Sequence, residues 1–135
     1  MKLTRASSYA LHALAFMATQ KSDKPVASHL IARDRGIPER FLLKVLKPLV
    51  STRVLNSIKG PNGGYKLMKD PFKVSLLHII EAVDGPIRGV APFAEEVGGP
   101  LNNKLESICK TASEALRKSL EKVSLGELAG ARKGK

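Results

Sequence analysis

Apolar residues recur along this chain at helical spacing, and the runs are separated by glycine and proline. Tyr9, Ala10, Ala13, Leu14 and Met17 stand at i, i+1, i+4, i+5 and i+8, which predicts a first helix over about residues 4–19. A polar break closed by Pro25 follows. A short second helix is expected over about residues 27–35, burying Ala27, Leu30 and Ile31 and stopping at Gly36. Pro38 then opens a third helix that runs to about residue 52. Ala32 before the Gly36 turn and Leu42 after it let the two helices cross closely, which is the pattern of a helix-turn-helix unit.

The period then changes to that of strands. Residues 54–59 and 65–68 read as a hairpin around Gly60-Pro61-Asn62-Gly63-Gly64. A fourth helix over residues 75–84 has Leu76, Leu77, Ile79 and Ile80 inside and ends at Gly85-Pro86. Residues 86–100 form an irregular linker that includes the carboxylate pair Glu95-Glu96. A long helix over residues 101–123 follows, and Ser124 with Glu127 makes a capping box for a last short helix. The predicted fold is mainly α with a small β-hairpin. It consists of a winged helix-turn-helix domain (1–85), the linker (86–100), a dimerisation helix with its short capping helix (101–130) and a tail (131–135).

Stepping about 100° per residue from Arg40, Lys44 falls near 40°, Lys47 near −20° and Ser51 near 20°. Phe41, Leu42, Val45, Leu46 and Leu49 fall between about 100° and 240°, so an apolar face packs inward beneath a basic stripe. A helix of this kind fits the major groove of double-stranded DNA. Arg40, nearest the N-terminus, is expected to read base edges, Lys44 bases or backbone, and Lys47 phosphate. Lys59 and Lys66 put charge on both shoulders of the hairpin turn, and its glycines allow close approach to phosphates or the minor groove.

Charge placement agrees with this. The net charge of +11 is concentrated in residues 1–70, which hold 13 Lys and Arg against 4 Asp and Glu; the remainder holds 10 against 8. A basic half of this kind is expected to meet a polyanion. With 43% hydrophobic residues the chain is globular, and no apolar run is long enough for a membrane span. His12 interrupts the N-terminal apolar stretch, so that segment reads as a folded helix of a cytoplasmic protein rather than a secretion signal. The one cysteine, Cys109, rules out an internal disulfide and a thiolate zinc site. His12, His29 and His78 belong to separate helices, so no metal or other cofactor is expected. Neither a Ser/His/Asp set, a phosphate-binding glycine loop nor an HExxH motif is present, which argues against an enzyme.

Several segments together resemble one family. They are Met1-Lys2-Leu3-Thr4 with Tyr9-Ala10-Leu11, then Gly36-Ile37-Pro38, and the hairpin from Ser57 through Gly60-Pro61-Asn62-Gly63-Gly64-Tyr65 to Leu67. Asp70-Pro71, Glu81 to Pro86 and Val123 to Leu128 complete the set. The chain is similar to the winged-helix bacterial regulators that include the iron–sulphur cluster regulator IscR and the nitric-oxide-sensitive repressor NsrR. The resemblance implies a homodimeric repressor on an imperfectly palindromic operator. It places Lys59 at the family's wing arginine, preceded by Ser57, where lysine keeps the charge but loses the bidentate fork. Ser8 stands where many members carry arginine, and Arg5 is the candidate substitute for that phosphate contact. Cluster-holding members carry three cysteines between the fourth and the long helix, where this chain has none. No iron–sulphur cluster is therefore expected, and Cys109 reads as a small core residue.

Along the long helix, Leu101, Leu105, Ile108, Ala112 and Ala115 form a seam, continued by Leu116, Leu120 and Val123, that suits a partner helix of a second copy. Two classes of function remain. One is a sequence-specific regulator binding DNA through Arg5, Arg40, Lys44, Lys47, Ser57, Lys59, Pro61, Asn62, Gly63, Gly64 and Lys66, with an unidentified small-molecule or protein effector. The other is a winged-helix interaction or effector-responsive module whose DNA binding is only non-specific.

Overall fold

The computed structural model describes residues 1–90 and 95–132, with backbone alone for 95–98. Thr4 caps α1 (Arg5–Ala18), its Oγ1 accepting from the Ser7 N–H at 3.0 Å. Ala10, Ala13, Leu14 and Met17 turn into the core, with Tyr9 packed at its edge. At the same helix end the Thr4 and Ser7 hydroxyls donate to the Asp84 carboxylate at 2.8 and 2.6 Å. That contact satisfies Ser7, which is fully buried, and ties the start of α1 to the end of the fourth helix.

α2 (Ser28–Arg35) ends on Gly36 in the left-handed region at φ 63°, and the Ile37 N–H closes the turn on the Ala32 carbonyl at 2.9 Å. Ile31 and Ala32 are buried, but Leu30, expected inside, is exposed. The helix is only eight residues long and wedges one apolar edge under α1 and α3, which leaves Leu30 facing outward toward the hairpin turn. α3 (Glu39–Ser51) follows with Pro38 as its N-cap, so the helix begins one residue later than expected. Pro48 lies inside this helix, so the Lys44 carbonyl lacks its usual i+4 donor and the helix continues through the break.

The core runs through Leu42, Val45, Leu46 and Leu49 of α3 to Val54 and Leu55 at the base of the hairpin. β1 (Leu55–Ile58) and β2 (Gly64–Leu67) pair antiparallel, with Leu55 opposite Leu67 and Ser57 opposite Tyr65. Val26, just before α2, bridges Tyr65 through bonds of 2.8 and 2.9 Å, so the chain entering the helix-turn-helix serves as a third edge of the hairpin. A 3-10 turn (Pro71–Lys73) leads to α4 (Leu76–Asp84), whose N-cap Ser75 accepts from the His78 N–H.

The end of the chain departs from the expected division. Residues 85–90 run without helix, and α5 (Glu95–Glu121) already begins within the region read as linker. A break at Gly99 (φ 54°, ψ −147°) separates its first turn from the long helix starting at Pro100. The side chains of Glu95 and Glu96, residues 91–94 and the last three tail residues lie outside the described residues. α5 docks on α4, where Glu81 accepts from both Arg117 and the Ile87 N–H. α6 (Leu125–Ala129) packs on α1, with Leu125 fully buried in the core and Ser124 capping the helix through the Glu127 N–H at 3.1 Å. Gly126 lies flat on Phe72, where a Cβ would stand 2.6 Å from the ring. The capping helix thus packs with the N-terminal domain. Among the described residues, no helix is long and apolar enough to cross a membrane.

Candidate nucleic-acid interface

Arg40, Lys44 and Lys47 are all exposed along α3, and the apolar side beneath them holds the helix to the domain. Glu39, at the first position, accepts from the Ser28 hydroxyl at 3.4 Å, which links the starts of α2 and α3. Phe41 corrects the helical-wheel reading. It was expected among the inward residues, yet it is 50% exposed, with the Lys44 ammonium 5.4 Å from its ring centroid. Its angle lies at the edge of the apolar arc, about 40° beyond Val45. At that edge Lys44 covers the ring instead of the core.

The hairpin is fixed to this helix at its base. The Val54 N–H donates to the Leu49 carbonyl and the Met68 N–H to the Val54 carbonyl, both at 3.0 Å. Arg53, between helix and strand, holds φ 64°, a left-handed conformation normally taken by glycine. Beyond the strands, Ser57, Lys59, Pro61, Asn62 and Lys66 are exposed, and Gly63 and Gly64 are half-buried. Those two glycines have a structural reason of their own. A Cβ on Gly64 would lie 2.4 Å from the Val26 carbonyl oxygen, and one on Gly63 would lie 2.1 Å from that of Ile58. They allow the turn to fold back on its own strand and on the entry to α2.

Arg5 is exposed at the first position of α1, whereas the hairpin lies against Met17 and Ala18 near the helix's other end. The rise of an α-helix separates these ends by about 20 Å. The structure therefore gathers α3 and the hairpin but keeps Arg5 apart from the hairpin. Leu43 and Arg53 are exposed neighbours of the basic row that the sequence reading did not single out. The angle of Leu43, about 60° from Arg40, was the available signal for it.

On α5, Leu101, Leu105, Ile108 and Ala112 lie along one exposed stripe. Ala115 is exposed beside it, and Leu116 and Leu120 carry the apolar positions onward. Both leucines are half-buried further round the helix, toward the side that brings Arg117 to Glu81. From Ala112 these leucines follow at steps of four, each of which advances about 40° round the helix, in place of the alternating four and three that keep Leu101, Leu105, Ile108 and Ala112 in line. Cys109 is half-buried, and Gly89 crosses so close that a Cβ there would meet the Cys109 carbonyl carbon at 2.3 Å.

The family model for Rrf2, described as an iron-dependent transcriptional regulator, matches residues 3–131. The HTH-type transcriptional regulator IscR of Vibrio vulnificus is 28% identical over 129 residues, covering 95% of this chain and 77% of that protein. Among solved structures, the global cysteine regulator CymR of B. subtilis is similar with a TM-score of 0.76 at 24% identity, covering 96% of this chain and 97% of that one. IscR of T. potens gives 0.71 at 20% identity, covering 99% and 94%. These two likenesses show the mainly helical winged-helix fold. The donor set does not fit an iron–sulphur cluster, since the chain has a single thiol. Among the described residues, no three His, Cys, Asp or Glu side chains stand close enough to share a metal ion.

Proposed function

Because the chain belongs to the Rrf2 family of DNA-binding transcriptional regulators, we propose that it is a homodimeric repressor of a palindromic operator that works without an iron–sulphur cluster. The observation that carries this reading is the exposed row of Arg40, Lys44 and Lys47 on a helix braced directly against an exposed basic hairpin. Arg40 reads base edges, Lys44 lies between bases and backbone, and Lys47 contacts phosphate. Ser57, Lys59 and Lys66 with the Pro61-Asn62 tip engage the backbone and minor groove beside it. Arg5 adds a separate phosphate contact.

One recognition helix spans only a few base pairs, so operator recognition needs two copies about one helical turn apart. The exposed apolar stripe of Leu101, Leu105, Ile108 and Ala112 supplies a surface for that pairing. With one thiol per chain, the input is an unidentified small-molecule or protein effector rather than a cluster. Footprinting on the DNA upstream of the chain's own gene tests the reading. Two protected half-sites related by a dyad and centred about 10 base pairs apart are expected. Absence of any protected site on that DNA and on duplexes selected from a random pool would refute it.

A further inference from the structure

The outer surface of α3 carries apolar groups that the core does not use. Phe41 is 50% and Leu43 42% exposed, whereas Leu42 between them is fully buried. Both lie in the first two turns of the helix, the part that enters the groove in helix-turn-helix proteins. Leu43 falls about 60° to one side of Arg40 and Phe41 about 100° to the other, so the pair brackets Arg40 and Lys44. The Lys44 ammonium over the Phe41 ring joins that ring to the basic face.

A surface aimed at phosphates alone has no use for these side chains. Base edges in the major groove present donors, acceptors and one apolar group, the C5-methyl of thymine. An apolar side chain laid against a donor or acceptor strips its water and returns no hydrogen bond. Against a thymine methyl it buries apolar surface on both partners. We infer that Phe41 and Leu43 recognise thymine methyl groups on either side of the base pair contacted by Arg40, and so set part of the operator sequence. The inference rests on the groove-reading role of α3 proposed above.

Selection of binding sites from a random duplex pool, followed by replacement of each selected thymine with deoxyuridine, tests it. Deoxyuridine removes only the methyl. Burial of one such group corresponds to roughly a fourfold change in affinity. The expected result is a selected site with fixed thymines, at least one of which loses about fourfold on replacement. That loss should vanish in Leu43→Ala or Phe41→Ala. Because Phe41→Ala also removes the Lys44 contact, Phe41→Leu serves as a second variant that keeps an apolar contact and hence the methyl effect. Unchanged melting temperatures show that the variants fold. If sites are selected but no deoxyuridine replacement matters, or if its effect persists in both alanine variants, the inference is overturned and the regulator reading stands. If no sequence is selected at all, that reading fails and the inference fails with it.

Discussion

Replacing Ile108 with glutamate puts a carboxylate in the middle of the exposed α5 stripe. Ile108 is 64% exposed in the single chain, and Leu101 and Leu105 on the same stripe are 67% and 42% exposed. Fully burying a Leu or Ile side chain is worth about 1.5–3 kcal/mol. The exposed part of Ile108 therefore represents about 1–2 kcal/mol of burial still available, and about 3 kcal/mol for two copies, since a two-fold interface counts each substitution twice. Losing that burial alone raises the dimer dissociation constant roughly 100-fold. Two carboxylates forced into an apolar contact raise it further. Sedimentation velocity on the native chain and the Ile108→Glu chain, over about 1–100 µM, reads the shift directly. Ser107→Glu, on the exposed outer side of α5, is the control and should sediment as the native chain does. A native chain that stays monomeric across this range, or an Ile108→Glu chain that dimerises equally well, would refute the assignment of this stripe to the dimer.

Other consequences follow from single contacts. Arg40→Ala should weaken binding to the operator by about 1–3 kcal/mol and leave scrambled duplex nearly unaffected, as read by titration. Gly64→Ala drives a Cβ into the Val26 carbonyl and should cost about 1–3 kcal/mol in thermal unfolding while loosening the hairpin. Asp84→Ala removes the acceptor of the buried Ser7 hydroxyl and should lower stability in denaturant unfolding by about 1.5 kcal/mol. Arg53→Gly relieves a left-handed arginine and should raise stability by about 1 kcal/mol; a loss in the same assay would show that the Arg53 side chain makes up for its backbone.

The elements themselves were legible because each has a local cause. Thr4, Gly36, Ser75 and Ser124 stop or start helices with their own backbone or hydroxyl groups, and the Gly60–Gly64 run leaves the chain little choice but to turn. Sidedness was harder to read, because a wheel gives an angle but not the width of the buried arc. Phe41 sits at the margin of that arc and faces outward, and Leu30 does the same on a helix too short to bury two edges. Along α5, Leu116 and Leu120 follow Ala112 at steps of four, each about 40° further round the helix, and both are half-buried in the single chain. Long-range pairings left no periodic trace at all. The Val26–Tyr65 bridge, the Asp84 clasp on α1 and the return of α6 to the core depend on residues distant in sequence. In the candidate interface the basic row and hairpin charges were visible from spacing. The structural reason for Gly63 and Gly64, and the apolar flanks of α3, needed the packed chain.

The central claim is that α3 and the hairpin read a DNA sequence, beyond attraction to its charge. Affinity for a selected operator and for its scrambled counterpart, each measured across a range of salt concentrations, tests this most directly. Both should weaken with salt, and the operator should stay at least about 1,000-fold tighter throughout. Equal affinities falling along the same salt slope would reduce this surface to a non-specific polycation and contradict the account.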